Sequence, residues 1–246
     1  MSNKKKIVIF TSDLFGLKIY NLIKRKKKYN IYLIIPNKNK TLINHLKKSN
    51  NNIYSYYEDL DKKKNLIDFQ NNNFDLLISV YFNKILKKNI YNFVKKTINF
   101  HPSYLPLHKG CYPHVHSLLT GKGLGFTFHE IDQNIDSGNI WYQKKFLPTF
   151  LDDQISFHNK LKKEMLKQFK IKFELILNDK IKSKPQNSKG NYNNLKSLQK
   201  IDKLDLNKKY KLKDLILILN ARKYKKNTFA YFQYKSKKYK LIMKIF

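Results

Sequence analysis

The chain has 246 residues, of which 41% are hydrophobic and 14% aromatic, enough to bury the core of one large domain with a small appendage. Lys and Arg total 51 against 17 Asp and Glu, which gives a formal net charge of +34. The excess is almost entirely Lys, and Arg, which base-reading proteins favour, occurs only at positions 25 and 222. The composition therefore disfavours nucleic acid as the partner, and a non-catalytic basic RNA-binding protein is kept as an alternative.

A single cysteine, Cys111, excludes an internal disulfide and a Cys-rich zinc site, and it suits a reducing compartment. The first apolar run, at 7–10, is too short for the core of a signal peptide, and no run approaches the roughly 20 apolar residues of a membrane span. We therefore expect a cytoplasmic protein without a membrane partner.

Patterns of buried strands and amphipathic helices alternate through the first hundred residues. They predict strands at 7–10, 31–35, 53–57, 76–80 and 97–101, and helices at 14–28, 42–48, 58–69 and 85–93. Strands that alternate with helices form parallel sheets with right-handed crossovers. The predicted fold class is therefore α/β, with a Rossmann-like, mostly parallel sheet.

The second half of the chain continues this sheet and then changes character. It predicts strands at 125–131 and 140–146, a long helix from about 153 to 177, a polar linker, a helix at 211–222 and extended segments near 229–234 and 238–245. We expect a catalytic domain at 1–181, a linker at 182–200 and a small α+β subdomain at 201–246.

The first strand-to-helix turn contains one glycine and has neither the dinucleotide nor the phosphate-loop fingerprint. We therefore expect the ligand at the carboxyl ends of later strands. Neither a Gly-x-Ser-x-Gly nucleophile motif nor a His-Glu-x-x-His helix is present, so the sequence predicts no serine nucleophile and no metal.

Three polar residues could form a catalytic group at that edge. Asn99 and His101 share one face of the strand predicted at 97–101, because side chains two apart on a strand point the same way. Asp136 lies in a later loop that could return to the same crevice. An imidazole aimed by a carboxylate is a tunable acid and base, and an amide N–H can stabilise an oxyanion. The three residues can support attack of an amine on an activated carbonyl.

The order of the surrounding residues resembles that of the folate-dependent formyltransferases. Residues 99–106 read Asn-Phe-His-Pro-Ser-Tyr-Leu-Pro, Gly110 follows, and residues 135–140 read Ile-Asp-Ser-Gly-Asn-Ile. The resemblance covers about residues 5–150. The segment 112–117, Tyr-Pro-His-Val-His-Ser, is most similar to the branch that formylates nucleotide-linked amino sugars. This chain has His-Lys-Gly-Cys at 108–111 where the family often has Asn-Arg-Gly-Trp, and His116 where the family has Trp.

The resemblance implies the formyltransferase fold and transfer of a formyl group from N10-formyltetrahydrofolate, the co-substrate, to an amine, with no metal. It implies that Asn99 and His101 polarise the formyl oxygen, and that Asp136 orients His101 and assists proton transfer. The implied folate contacts lie in two loops and are Tyr81, Phe82, Ile85, Leu86, Ile131, Asp132, Gln133 and Ile135. Candidates for diphosphate and sugar contacts are Lys84, Lys109, Tyr112 and His114.

The acceptor that the resemblance favours is a nucleotide-linked amino sugar used for surface polysaccharide such as lipopolysaccharide O-antigen. We expect dTDP-4-amino-4,6-dideoxyglucose, with the 3-amino isomer close behind. Methionyl-tRNA is the alternative that the positive charge would suit, but residues 191–246 are short for the tRNA-binding barrel of that enzyme. Glycinamide ribonucleotide is a third option, which the appendage disfavours. The sequence leaves the oligomeric state open, including a homodimer.

Overall fold

The structure is a computed structural model that describes residues 4–48 and 55–243. Its strands are β1 (Lys5–Thr11), β2 (Tyr29–Ile35), β3 (Ser55–Tyr56), β4 (Leu76–Val80), β5 (Thr97–His101), β6 (Lys109–Gly110), β7 (Gly125–His129), β8 (Ile140–Lys145), β9 (Tyr192–Asn193), β10 (Lys223–Tyr224), β11 (Asn227–Thr228), β12 (Tyr231–Tyr234) and β13 (Lys237–Lys240). Its α-helices are α1 (Leu14–Lys24), α2 (Lys40–Lys48), α3 (Lys63–Asn71), α4 (Lys88–Tyr91), α5 (Pro113–Thr120), α6 (Gln154–Leu177), α7 (Leu195–Asp202) and α8 (Leu212–Arg222). A 3-10 helix spans Tyr57–Asp61.

Seven strands form one sheet in the order β3-β2-β1-β4-β5-β7-β8. The pairs β2–β3, β1–β2, β1–β4 and β4–β5 are all parallel. The central strands are apolar on both faces, as strands covered by helices on both sides must be, and every residue of β4 is buried. The predicted α/β class with a mostly parallel sheet is confirmed. None of the described helices is long and apolar enough to span a membrane.

The chain folds into two units, each with its own interior. The first contains the chain up to Phe100 together with Phe128–Tyr142 and Leu166–Pro185. One of its apolar clusters surrounds Phe10, whose ring makes edge contacts with the rings of Tyr57, Phe69 and Phe82. Such pairs add to the stability that burial alone provides.

The second unit contains His101–Thr127, Gln143–Met165 and the chain from Gln186 onward. It holds the small two-stranded sheets β6–β9, β10–β11 and β12–β13. A buried ion pair joins its helices, because the Arg222 guanidinium donates to both carboxylate oxygens of Asp202, at 2.5 Å and 3.0 Å. The same guanidinium lies 4.7 Å from the centre of the Phe229 ring.

Several predicted elements differ from the structure. The helix predicted at 85–93 is wrong in extent, because Leu86 packs into the core and only Lys88–Tyr91 is helical. The helix predicted at 58–69 is broken at Lys62, whose backbone is extended. Helix α7 begins inside the predicted linker, where the Asn194 side chain accepts the N–H of Ser197 as a helix cap. Of the strand predicted at 53–57, residues 53 and 54 lie outside the described residues. The predicted domain boundaries stay a prediction.

Glu174 on α6 contacts residues that lie just before and at the start of β2. Its Oε1 lies 2.9 Å from Nζ of Lys26 and 3.0 Å from Nζ of Lys28, and it accepts a hydrogen bond from the Tyr29 hydroxyl at 3.0 Å. The hydrogen bonds from Lys26 and Lys28 lower the pKa of Glu174 to about 2. Ionised Glu174 therefore contributes to the stability of the first unit.

We expect Glu174→Gln to reduce the free energy of unfolding at pH 7 by about 1 kcal/mol, the upper end for partly exposed ion pairs. A carboxyl with a lowered pKa stabilises above its unfolded value of 4.5, and this contribution is lost as the pH falls toward 2. Urea unfolding of parent and variant at pH 7 and pH 3 should show the difference shrinking at the lower pH. Asp68→Asn, which changes an exposed carboxyl on α3, is the control. An equal difference at both pH values would contradict the assignment.

Candidate active site

The loop that follows β7, at residues 130–139, has a defined shape of its own. The Glu130 N–H donates to the Asn139 carbonyl at 2.8 Å, and Asp132 Oδ1 accepts the Asn134 N–H at 3.0 Å. Asp136 has a φ of 53°, in the left-handed region that few side chains adopt. Gly138 packs so closely on the Glu130 carbonyl that a Cβ would collide with it. The loop therefore holds the Asp136 side chain in a fixed direction.

Two hydrogen bonds attach this region to the beginning of β5. The Ile131 N–H donates to Oγ1 of Thr97 at 2.7 Å, and the Trp141 indole N–H donates to the Thr97 carbonyl at 2.8 Å. Thr97 itself is buried. The loop is consequently positioned beside the residue that lies two places before Asn99.

Asn99, His129 and Asp136 meet in a triangle of polar atoms. Asn99 Nδ2 lies 3.1 Å from His129 Nε2 and 3.2 Å from Asp136 Oδ1. His129 Nε2 and Asp136 Oδ1 are 3.4 Å apart. The side chain of His129 is 2% exposed and that of Asp136 is 11% exposed. The structure thus brings Asn99 and Asp136, both predicted to be catalytic, into contact, and it adds a histidine.

His101 is the last residue of β5 and is buried. Its Nε2 lies 3.1 Å from the His108 carbonyl oxygen, which can only accept, so Nε2 carries the hydrogen and Nδ1 is the nitrogen able to take a proton. Alternation along β5 places the side chains of Asn99 and His101 on one face of the strand.

His129 was not among the predicted site residues, although the sequence contains a signal for it. Residues 125–129 alternate, so Thr127 and His129 share the face opposite Phe126 and Phe128. The signal is a polar histidine at the end of a buried strand, seven residues before Asp136, on the face that the loop covers.

The two predicted folate loops pack against the same apolar cluster of the first unit. Phe82 and Ile131 both lie on this cluster, and Leu86 is part of it. Ile85 is 74% exposed, and its carbonyl accepts the Tyr57 hydroxyl at 2.9 Å. Tyr81 has a φ of 48°, and burial raises the pKa of its hydroxyl well above the usual value. The loops are neighbours, and their role as folate contacts stays a prediction.

A groove of about 670 Å³ opens beside the second of these loops. It is lined by Lys88, Tyr91, Asn92, Val94, Lys95, Lys96, Thr97, Glu130, Ile131, Asp132, Gln133 and Trp141. Three of the predicted folate contacts, Ile131, Asp132 and Gln133, belong to this lining, whereas Tyr81, Phe82, Ile85, Leu86 and Ile135 lie outside it. The volume lies within the range of small-molecule sites.

The predicted diphosphate and sugar contacts occupy different environments. Lys84 Nζ lies 3.7 Å from a carboxylate oxygen of Glu58 in the first unit. In the second unit Lys109 is buried in β6, and Tyr112 is 51% exposed with a φ of 51°. The His114 ring stacks on the His158 ring at 4.1 Å, and burial lowers the pKa of His114 well below its usual value. Their binding roles stay predictions.

His108 and His116, where the family often has Asn and Trp, stack with ring centroids 5.9 Å apart in the second unit. His108 Nδ1 lies 3.1 Å from the Asn193 amide nitrogen, and its Nε2 lies 3.2 Å from the Lys122 carbonyl. Burial lowers the pKa of both rings, that of His116 to about 4. At neutral pH this cluster is therefore uncharged.

Residues 5–170, well over half of the chain, match the family described as formyl transferase. The chain belongs to the formyl transferase family. It is 27% identical over 139 residues to the dTDP-4-amino-4,6-dideoxyglucose formyltransferase of Mycobacterium tuberculosis. That match covers 55% of this chain and 58% of the relative.

Solved structures of other formyltransferases share the fold. The crystal structure of a 4-N formyltransferase from Francisella tularensis superposes with a TM-score of 0.87 at 25% identity, and the match covers 98% of both chains. A formyltransferase from Anoxybacillus kamchatkensis, in complex with UDP-4,6-dideoxy-4-formamido-L-AltNAc and tetrahydrofolate, gives a TM-score of 0.61 at 26% identity. That match covers 79% of this chain and 88% of the other.

We expect Gly138→Ala to destabilise this formyl transferase fold by about 1–3 kcal/mol, the cost typical of overpacking, because the new methyl would collide with the Glu130 carbonyl. The loop should also move, and the backbone amide of Glu130 should exchange with deuterium faster. Thermal unfolding and hydrogen exchange measure both effects. Asn134→Ala, which changes an exposed side chain of the same loop, serves as the control. Unchanged exchange in Gly138→Ala would show that the loop tolerates the side chain.

Proposed function

We propose that this protein is an N-formyltransferase that moves a formyl group from N10-formyltetrahydrofolate to the amine of a nucleotide-linked amino sugar. The observation that carries the proposal is the contact between the Asn99 amide and the Asp136 carboxylate, with His101 on the same face of β5. Family membership supports the formyl chemistry. In our proposal Asn99 supplies a hydrogen-bond donor, His101 a general base and Asp136 a carboxylate.

The reaction needs a donor for the oxygen of the formyl group. As the neutral amine attacks the formyl carbon, a carbon–nitrogen bond forms and negative charge develops on that oxygen. A fixed N–H group directed at such an oxygen stabilises the transition state more than the ground state. In our proposal the Asn99 amide supplies this N–H and His101, once protonated, adds a second donor.

The reaction also needs a group that removes a proton from the attacking nitrogen. His101 Nδ1 can take this proton, because Nε2 is already committed as a donor to the His108 carbonyl. When the tetrahedral species collapses, the bond to N10 breaks and the proton passes to the departing nitrogen. Asp136 orients and charge-balances the imidazolium that exists between the two steps.

The groove beside Ile131 is our candidate site for the folate co-substrate. Its lining combines the apolar and aromatic surface of Tyr91, Val94, Ile131 and Trp141 with charged and polar side chains such as Lys88, Asp132 and Gln133, and it does not include Asn99, His101 or Asp136. It also reaches Thr97, two residues before Asn99 on β5. The tetrahydrofolate in the Anoxybacillus structure supports folate as the co-substrate of this chain.

For the acceptor we propose dTDP-4-amino-4,6-dideoxyglucose, on the likeness to the mycobacterial relative and to the 4-N formyltransferase from Francisella. The product would serve the synthesis of a surface polysaccharide such as O-antigen, and we place the reaction in the cytoplasm. Incubation with formyltetrahydrofolate and a panel of acceptors tests this. The panel contains the dTDP-linked 4-amino and 3-amino sugars, GDP- and UDP-linked amino sugars, and charged initiator tRNA. Mass spectrometry should find one added CO on the dTDP-4-amino sugar, whereas formylation of the tRNA alone would overturn the proposed acceptor.

We expect His101→Ala to reduce kcat by about 10²–10⁴-fold, the usual contribution of a general base, with little change in the KM of the sugar. Steady-state kinetics on the acceptor identified above measure this split. His45→Ala, which changes an exposed histidine on α2, is the control and should keep the parent rate. A His101→Ala protein that formylates at the parent rate would refute this role.

Trp141 offers a direct test of the folate groove, because it lines the groove and is the one tryptophan in the chain. Tetrahydrofolate should quench its fluorescence in a saturable way. Ile131→Glu, which places a charge in the groove wall, should weaken this binding by at least about tenfold. Ile171→Glu changes an exposed residue on α6, outside the lining and outside the predicted folate contacts, and is the matched control. Equal weakening by both variants, or by neither, would argue against the groove.

A further inference from the structure

His129 occupies a position that makes it more than a packing residue. It ends β7, its side chain is almost fully buried, and both of its ring nitrogens lie close to polar atoms. Nδ1 is 2.6 Å from the Glu130 carbonyl oxygen, and Nε2 is 3.1 Å from Nδ2 of Asn99. The ring therefore links the start of the 130–139 loop to the amide that the proposed mechanism needs.

The hydrogen bonds determine which nitrogen of His129 carries the proton. A carbonyl oxygen has no hydrogen to give, so the short contact to Glu130 requires an N–H at Nδ1. In the neutral ring Nε2 is then an acceptor, and the amide of Asn99 is the donor that faces it. The carboxylate of Asp136 is likewise an acceptor for that amide, at 3.2 Å.

The geometry of the three polar atoms limits how the Asn99 amide can use its two hydrogens. The distances of 3.1 Å, 3.2 Å and 3.4 Å make a nearly equilateral triangle. Seen from Nδ2, the two acceptors are therefore about 60° apart, roughly half of the 120° that separates the hydrogens of a planar amide. One hydrogen is shared between His129 and Asp136 as a bifurcated bond, and the other points away from both.

We infer that His129 is a positioning residue for formyl transfer: together with Asp136 it holds one hydrogen of the Asn99 amide and so directs the other toward the formyl oxygen. This inference rests on the proposed function, which provides the formyl oxygen as the target of the second hydrogen. The part that concerns the orientation of the amide rests on the three distances and on the contact between His129 Nδ1 and the Glu130 carbonyl. Without His129 the amide keeps only the Asp136 contact and can rotate about the Cβ–Cγ bond, so its free hydrogen loses its fixed direction.

Glutamine and asparagine at position 129 test the two contacts of the ring separately. Glutamine places a polar atom near the position of Nε2 and can still accept from Asn99, whereas asparagine reaches only the position of Nδ1 and keeps the Glu130 contact. We expect His129→Gln to keep kcat within about fivefold of the parent. His129→Asn should lower kcat by about 10–100-fold, less than the loss of a transition-state donor itself, and leave both KM values within about twofold.

A second measurement does not depend on activity. In protein labelled with ¹⁵N-asparagine, the side-chain NH₂ pair of Asn99 is assigned by its loss in Asn99→Asp. We expect its protected hydrogen to exchange at the parent rate in His129→Gln and about tenfold faster in His129→Asn. This result supports the positioning role even if the parent formylates none of the acceptors, an outcome that would refute the proposed function instead.

Other outcomes would overturn the inference. If His129→Asn keeps both the parent kcat and the parent exchange rate, the ring does not position the amide. If both variants lose kcat and melting temperature in parallel, the histidine is structural. If either variant fails to fold, His129→Phe, which has a ring of similar size, replaces it in the test. Native folding of this variant with an unaltered Asn99 NH₂ pair would refute the positioning role.

Discussion

The hydrogen bond from the Ile131 N–H to the Thr97 hydroxyl holds the loop that carries Asp136 beside β5. The 130–139 loop has its own internal turns, but those alone would let it point in many directions. The bond to Thr97, strengthened by the bond from the Trp141 indole to the Thr97 carbonyl, sets the loop at the start of β5. Asp136 then reaches Asn99, which lies two residues further along the same strand. The groove borders the same anchor, since Thr97, Ile131 and Trp141 all line it.

The site is built from an amide, imidazoles and one carboxylate in a chain of very high positive charge. Many of the lysines around the first unit are paired with its few acids, as Lys95 is with Asp75 and Lys96 with Asp179. Asp136 is instead contacted by an amide and an imidazole. Such an environment holds a carboxylate by directed hydrogen bonds and keeps the geometry of its partners fixed. The lysines therefore act mainly as a solvated or paired surface in the described part of the first unit.

The second unit shows how this chain departs from its family. At the positions where the family often has Asn and Trp, His108 and His116 stack on each other, and the side-chain amides of Asn191 and Asn193 lie 3.3 Å and 3.1 Å from Nδ1 of His108. Burial lowers the pKa of both rings, so the cluster offers hydrogen bonds and a flat surface without charge. A cluster of this kind can distinguish ligands by shape and polar pattern.

The amino-acid sequence by itself determined the class of fold and the alternation of strands and helices in the first hundred residues. Apolar runs such as 7–10 and 76–80 are typical of buried strands, and the helical patterns between them favour parallel pairing. It also indicated Asn99, His101 and Asp136 through their order and spacing. It predicted a helix at 85–93 wrongly. Leu86 packs into the core and the Ile85 carbonyl accepts a hydrogen bond from Tyr57, and a local sequence pattern does not contain such contacts between segments. Only the tertiary structure decided that His129 joins the site and that Asn99 shares one amide hydrogen between two acceptors. Those facts depend on distances between residues some 30 to 40 positions apart, which arise only when the loop after β7 folds back over β5.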